Sequence, residues 1–259
     1  MTEFNTLRTV LGSDGVALGG DARTFSPTVI ELFGSLGLDY VWLDYEHAGP
    51  SPADSHHVEQ LCLAATAADI EPVVRLPSSE PELVTKVLDT GVRSVVVPQV
   101  ETAGEVQRLV SATRFSTPAA DGHRGIGLVR ANEWGGELGD EYAARENESV
   151  NVGVMIENRR AVESIREIVS VDGLGFVFVG PADLSLSIEA GYEPDSPAVL
   201  EAVDAVVEAA NAADLPVGRG VGSIDAARDA MDQGYRMLSI GRDVFAIRDV
   251  LETRLDALR

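Results

Sequence analysis

The sequence predicts a (β/α)8 barrel, and three observations carry that expectation. Eight β-rich runs alternate with amphipathic helical patterns over 259 residues, with no long linker between them, which is the element count and the size of that fold. Several runs are apolar almost throughout, as in Ser94-Val-Val-Val-Pro98 and Gly175-Phe-Val-Phe-Val179, the pattern of parallel strands buried on both faces. No Gly-x-Gly-x-x-Gly follows the first run, which weakens the alternative of a doubly wound sheet built around a dinucleotide.

The predicted strands cover residues 15–20, 39–44, 71–76, 94–100, 150–157, 174–179, 215–220 and 236–240. The first stops at the tight turn Gly19-Gly20, and the second stops where its apolar run meets Asp44. Helical periodicity spans 53–68, 81–90, 104–114, 160–169, 198–213, 224–233 and 244–258. Trp42 lies mid-strand and reads as core. Between the fourth and fifth strands, residues 115–149 are too long for a simple connection and carry Gly122, Gly125, Gly127, Gly135, Gly136 and Gly139. Loops of that length in compact domains are usually functional, and Trp134 within it is a candidate to close a site. One barrel domain over 1–259 is expected.

Composition narrows the function. Hydrophobic residues make up 45% of the chain, enough for a core, so the net charge of −22 does not signal disorder. No apolar run approaches the roughly 20 residues of a membrane span, and no signal-peptide pattern opens the chain. Cys62 is the single cysteine, which excludes an internal disulfide or a cysteine-built metal site. Basic clusters that nucleic acid or anionic membranes require are missing. Lys86 is the one lysine among 20 basic residues, so the other 19 are arginines. Trading lysine for acid keeps a protein hydrated in concentrated salt, and a cytoplasmic enzyme of a halophile is the expectation.

In a barrel, chemistry belongs at the carboxyl ends of the strands. There the second strand ends in Leu43-Asp-Tyr-Glu-His47, the third in Val73-Val-Arg75, the fifth in Met155-Ile-Glu157 and the sixth runs into Gly180-Pro-Ala-Asp183. One charge at a strand end is ordinarily a solvated rim residue; four at the same end of one barrel form a site. Glu157 and Asp183 suit a hard divalent cation, which takes one or two protein carboxylates and completes its shell with water and substrate oxygens. Those donors accept Mg²⁺, Mn²⁺ or Co²⁺ alike. Backbone N–H groups where Gly180-Pro-Ala-Asp-Leu-Ser185 enters a helix offer a seat for a substrate carboxylate. Arg75 is permanently charged and suits an oxyanion or enolate. His47 is the natural general base near neutrality, with Asp44 or another nearby carboxylate to orient it. Together these groups point to enolate chemistry on a 2-oxo acid. A Schiff-base mechanism needs a lysine at a strand end, whereas Lys86 lies in a helical pattern.

Leu43-Asp-x-Glu-His47, Val74-Arg75, Ile156-Glu157 and Gly180-Pro-Ala-Asp-Leu-Ser185, in this order over essentially the whole chain, resemble the HpcH/HpaI family of metal-dependent pyruvate aldolases. The resemblance implies a hexamer of (β/α)8 barrels, often with the last helix exchanged between subunits. It implies metal binding by Glu157 and Asp183, contact of Arg75 with the keto oxygen, and a carboxylate held by the backbone at Gly180 and Ala182. His47 would move protons, with Asp89 as its partner and Asp44 nearby, and Arg124 matches an Arg-Gly-x-Gly element that would contact substrate. The chain departs from the pattern after the first strand, where Gly20-Asp-Ala-Arg23 replaces a bulky apolar residue, and at Met155, where relatives often carry Gln. Both departures leave the choice of donor and acceptor open, and Asp21 or Arg23 is a candidate contact for a polar acceptor. The function implied is reversible cleavage of a 2-keto-3-deoxy sugar acid to pyruvate and a small hydroxyaldehyde. A citramalyl- or malyl-CoA-type thioester lyase and a non-catalytic 2-oxo-acid-binding barrel are the alternatives.

Overall fold

The computed structural model describes residues 6–13, 15–189 and 191–259. In chain order its elements are α1 (Thr6–Leu11), β1 (Ala17–Asp21), α2 (Pro27–Ser35), β2 (Tyr40–Asp44), α3 (Ser55–Ala67), β3 (Glu71–Arg75), α4 (Pro81–Leu88), β4 (Ser94–Val97) and α5 (Ala103–Thr113). A 3-10 segment (Arg130–Gly135) and α6 (Tyr142–Ser149) follow, then β5 (Asn151–Ile156), α7 (Arg159–Glu163), α8 (Ile165–Val169), β6 (Leu174–Val179) and α9 (Pro181–Glu189). The chain ends with α10 (Pro197–Ala212), β7 (Val217–Gly220), α11 (Ile224–Asp232), β8 (Met237–Arg242) and α12 (Asp243–Leu258). The eight strands are parallel, pair in sequence order and close through β1 and β8. The predicted barrel is therefore the observed fold.

Differences from the sequence reading are local. The fourth strand ends at Val97 rather than Val100, because Pro98 lacks a ladder donor and Gln99 turns at φ 57°. The eighth runs on to Arg242, two residues past its predicted end. Residues 115–149 hold α6 and the 3-10 segment rather than one irregular loop. Helices α1, α2 and α6 lie outside the predicted helical spans. The short α1 has a clear role: Leu7 and Leu11 are buried with Ala17, Tyr40 and Met237 inside the barrel, so α1 plugs its amino-terminal end. Burial of two leucines stabilises that arrangement by about 2 kcal/mol each.

Strand alternation sorts the side chains into two shells. Tyr40, Trp42, Val73, Val96, Phe176 and Phe178 face one another within the barrel, while their neighbours Val41, Val74, Val95 and Val177 pack outward under the helices. Glycines make room for the inner aromatics. An added Cβ at Gly19 would come within 2.4 Å of the Tyr40 ring, and one at Gly153 within 2.1 Å of the Phe176 ring. Continuing the inner register toward the carboxyl ends reaches Asp21, Asp44, Arg75 and Glu157 in turn. The same alternation that fills the core therefore aims these charged residues at the upper mouth.

Candidate active site

Strand β2 delivers Asp44 to the mouth, and β3 delivers Arg75 beside it in register. Arg75 donates through Nε to Asp44 Oδ1 at 2.8 Å and through Nη2 to Oδ2 at 2.5 Å. Its Nη1 lies 2.8 Å from Glu46 Oε2, so two carboxylates lock the guanidinium. Arg23 adds Nη1 to Asp44 Oδ2 at 2.5 Å. Burial alone would push the Asp44 carboxyl up, but hydrogen bonding and charge from Arg75, with Arg23 behind, hold it below its ordinary range. Asp44 Oδ1 also accepts from the backbone N–H of Glu46 and His47 at 3.2 and 3.3 Å, fixing the turn after β2. The imidazole of His47 meets Glu46 instead, Nε2 to Oε2 at 3.4 Å. The carboxylate expected to orient the base is thus Glu46 within this chain, while Asp44 orients Arg75. Glu46 has no role assigned from the sequence; three ionisable groups within four positions at a strand end are the signal that marks it.

Strand β5 runs into Glu157, which is 2% exposed. Its Oε1 accepts from the Gln99 N–H at 2.8 Å, and its Oε2 sits against the bare Cα of Gly180, where an added Cβ would come within 2.8 Å. Burial first, then the negative charges of Glu46 and Asp183, push the Glu157 carboxyl up to about 7 against the opposing Gln99 hydrogen bond. Burial also raises Glu46, with Asp44 and Asp183 adding to it against the pull of Arg75. Carboxylates that crowd each other in this way are a donor set that a divalent cation would relieve, and Glu157 with Asp183 fit that group. Among the described residues no three His, Cys, Asp or Glu side chains cluster about one point; a hard cation held by two carboxylates takes its remaining ligands from water and substrate oxygens.

Helix α9 starts at Pro181 beside this pair. Leu184 N–H bonds back to Gly180 C=O at 3.0 Å, and Gly180 N–H is already committed to Ile156 C=O at 3.1 Å. The expected use of the Gly180 N–H for a carboxylate is therefore corrected: the open donors are the first-turn N–H groups of Ala182 and Asp183. Gly180 contributes by lacking a side chain.

Asp21, Arg23, His47, Arg75, Glu157 and Asp183 all line one cavity of about 640 Å³, floored by Trp42 and Phe178, whose rings stand 4.7 Å apart. Gly180 and Ala182 line it as well. Two other predicted residues stand elsewhere. Asp89 caps the end of α4 and accepts from Arg124 Nη2 at 3.3 Å, so the chain does not bring it to His47. Arg124 is buried, paired also with Glu146 at 3.5 Å and stacked 4.6 Å over Phe115; it anchors the long 115–149 segment instead of facing the cavity. Trp134 is exposed and does not line the cavity. The structure adds residues that the sequence reading did not single out: Ser239 and Arg242, brought to Asp21 by the closure of β8 on β1.

The sequence profile of the HpcH/HpaI aldolase/citrate lyase family matches residues 22–249. The chain belongs to the HpcH/HpaI family. Relatives in keeping with this include the hydroxypyruvate/pyruvate aldolase of Paraburkholderia phytofirmans, 36% identical with 88% of this chain and 85% of that one covered. The 2-keto-3-deoxy-L-rhamnonate aldolase of Escherichia coli K12 is 33% identical over 87% of this chain and 82% of its own. The crystal structure of an HpcH/HpaI aldolase/citrate lyase family protein from Burkholderia cenocepacia superposes with a TM-score of 0.91 at 33% identity, covering 98% of this chain and 99% of that one. In a (β/α)8 barrel active sites lie at the carboxyl ends of the strands, the mouth that here bears Arg75, Glu157 and Asp183.

Proposed function

We propose that this HpcH/HpaI protein is a divalent-metal-dependent aldolase that reversibly cleaves a 2-keto-3-deoxy sugar acid to pyruvate and a small hydroxyaldehyde. The observation that carries this reading is the convergence of Arg75, His47, Glu157 and Asp183 on one cavity at the carboxyl mouth of the barrel.

Binding begins with the 2-oxo acid. Its carboxylate sits at the start of α9, where the N–H groups of Ala182 and Asp183 and the helix dipole favour an anion. Arg75, held rigid by Asp44 and Glu46, points a fixed positive charge at the keto oxygen. Preorganised charge at that oxygen lowers the cost of the enolate without reorganisation during reaction. A divalent ion held by Glu157 and Asp183 would supply Lewis-acid stabilisation of the same negative charge. His47, with Glu46 beside Nε2, removes the C4 hydroxyl proton; the C3–C4 bond breaks, the hydroxyaldehyde leaves, and the electron pair passes to the pyruvate enolate. A proton then returns to C3 to give pyruvate, so the protons balance. Lys86 is exposed on α4, which leaves an imine no lysine to form on within the cavity.

Pyruvate release from a panel of 2-keto-3-deoxy acids, measured with Mn²⁺ and after chelation, tests the reading. Release that depends on the metal and survives borohydride in the presence of pyruvate is expected. No release from these acids, with pyruvate formed from citramalyl-CoA or glyoxylate from malyl-CoA, would replace it with the thioester-lyase reading.

A further inference from the structure

From the Glu157–Asp183 side the cavity wall continues through β7 and β8 to the end of β1, and it is built unusually. Gly220, Gly222 and Gly241 line it. A Cβ added at Gly222 or Gly241 would meet nothing within 4 Å, and at Gly220 the nearest atom would be Arg242 Nη2 at 4.0 Å. None of the three adopts a positive φ. Neither packing nor backbone conformation demands glycine there, so what the glycines provide is open width beside Arg242.

Arg242 is the charged group that faces this width. Its Nε donates to Asp21 Oδ2 at 2.9 Å, and Asp21 is itself fixed by Ser239 Oγ on Oδ1 at 2.5 Å. The guanidinium also lies 5.3 Å over the Phe245 ring. Its two Nη groups make no hydrogen bond to any described residue, and the side chain is 43% exposed. The other two guanidinium groups of the cavity differ: Arg75 is engaged on both sides by Asp44 and Glu46, and Arg23 has Nη1 on Asp44. Asp249, an acid on the same wall, is occupied by Arg248 at 2.9 Å.

From this geometry we infer that Arg242 determines specificity at the far end of the substrate, reading a terminal carboxylate on the aldehyde half. This deepens the aldolase reading and rests on it. A guanidinium anchored through Nε presents its paired Nη groups in the spacing of a carboxylate. Asp21, already bound to the same guanidinium, offsets one unit of charge, so the pair matches a monoanion better than a dianionic phosphate. Asp21 acts as a positioning residue, holding Arg242 toward the cavity.

Condensation of pyruvate with two aldehydes that differ only at the far end tests the assignment: tartronate semialdehyde, which ends in a carboxylate, and glyceraldehyde, which ends in a hydroxymethyl. The wild-type metal-loaded enzyme should favour tartronate semialdehyde in kcat/KM. Arg242→Gln should lose about a hundredfold on tartronate semialdehyde, the usual effect of deleting one member of a charged hydrogen-bonded pair, and stay within about threefold on glyceraldehyde. Asp21→Asn, which keeps Arg242 but loosens its anchor, should show a smaller loss confined to the same substrate. Equal losses on both aldehydes in both variants, or a wild-type preference for glyceraldehyde, would overturn the assignment while leaving the aldolase reading intact. No product from either aldehyde with the wild type would sink the aldolase reading, and the Arg242 assignment with it.

Discussion

Glu71 enters the barrel interior at the amino-terminal end of β3, far from the mouth, where Ser94 Oγ donates to it at 2.9 Å. Burial raises its carboxyl to about 7, and neither the Ser94 hydrogen bond nor the Arg93 charge offsets this. The folded state therefore holds the Glu71 proton more tightly than the unfolded chain, whose glutamates titrate near 4.3. Its contribution to stability is fully present below that unfolded value and is lost as pH rises through about 7. Glu71→Gln should flatten the fall of stability over this window and stabilise the protein at pH 8 by on the order of 3 kcal/mol; denaturant unfolding of both proteins across pH is the check. An unchanged pH profile would show that Glu71 stays ionised in the folded protein. At this same scale the sequence was most informative about Arg75, Glu157 and Asp183. Each stands at or just past the point where an apolar run stops, and in a parallel barrel that point is always the same mouth. Glu71 breaks the rule from the other end of its strand. Its polarity looked like a strand boundary, and only burial reveals an inner position. The pairing of Asp21 with Arg242 was beyond reach for a different reason: 221 residues separate them, and nothing local in the sequence marks a contact made by barrel closure.

Between β4 and β5, the segment that reads as a glycine-rich functional loop is tied down by ion pairs. Arg124 bridges Asp89 at the end of α4 and Glu146 on α6, and Arg93 reaches Glu146 at 2.9 Å. Asn147 clamps Phe115 through both of its backbone groups, at 2.8 and 2.9 Å. Glycine spacing made the length legible, but α6 has the sequence Tyr-Ala-Ala-Arg-Glu-Asn-Glu-Ser, with few apolar residues to betray a helix; its stability comes from the buried ion pairs that tertiary packing supplies. Arg124→Met would take one of two cationic partners from the buried Glu146, leaving Arg93, and unpair Asp89, a change expected to cost about 1–3 kcal/mol. The expected outcome is a marked fall in Tm with the KM for the 2-oxo acid held within about threefold. A large rise in that KM at unchanged Tm would restore Arg124 to the substrate contact that family resemblance implies. Plug helix α1 illustrates the same limit on sequence reading. It has six residues, too few for periodicity to show, and its leucines declare themselves only by filling the barrel.

At the scale of the whole molecule, the fold was legible because alternation of strand and helix is a global count, tolerant of errors of two or three residues at every boundary. The assembly is a separate matter. Phe245, Ile247, Val250, Leu251 and Leu255 of α12 are exposed, and we propose that the hexamer implied by family resemblance covers them. Among the described residues no helix is long and apolar enough to cross a membrane. The barrel as a whole serves to bring Asp44 and Arg75 from adjacent strands to Glu157 and α9 across its mouth, around a cavity floored by Trp42 and Phe178. We propose that this mouth forms a pyruvate enolate with the help of a divalent ion. Exchange of the pyruvate methyl protons for deuterium in D2O, followed by proton NMR, tests that half of the reaction without knowledge of the aldehyde. Exchange is expected with Mg²⁺ or Mn²⁺, and it should cease on chelation and in Arg75→Ala. No exchange with the metal-loaded wild type, or exchange that persists undiminished after chelation, would contradict it.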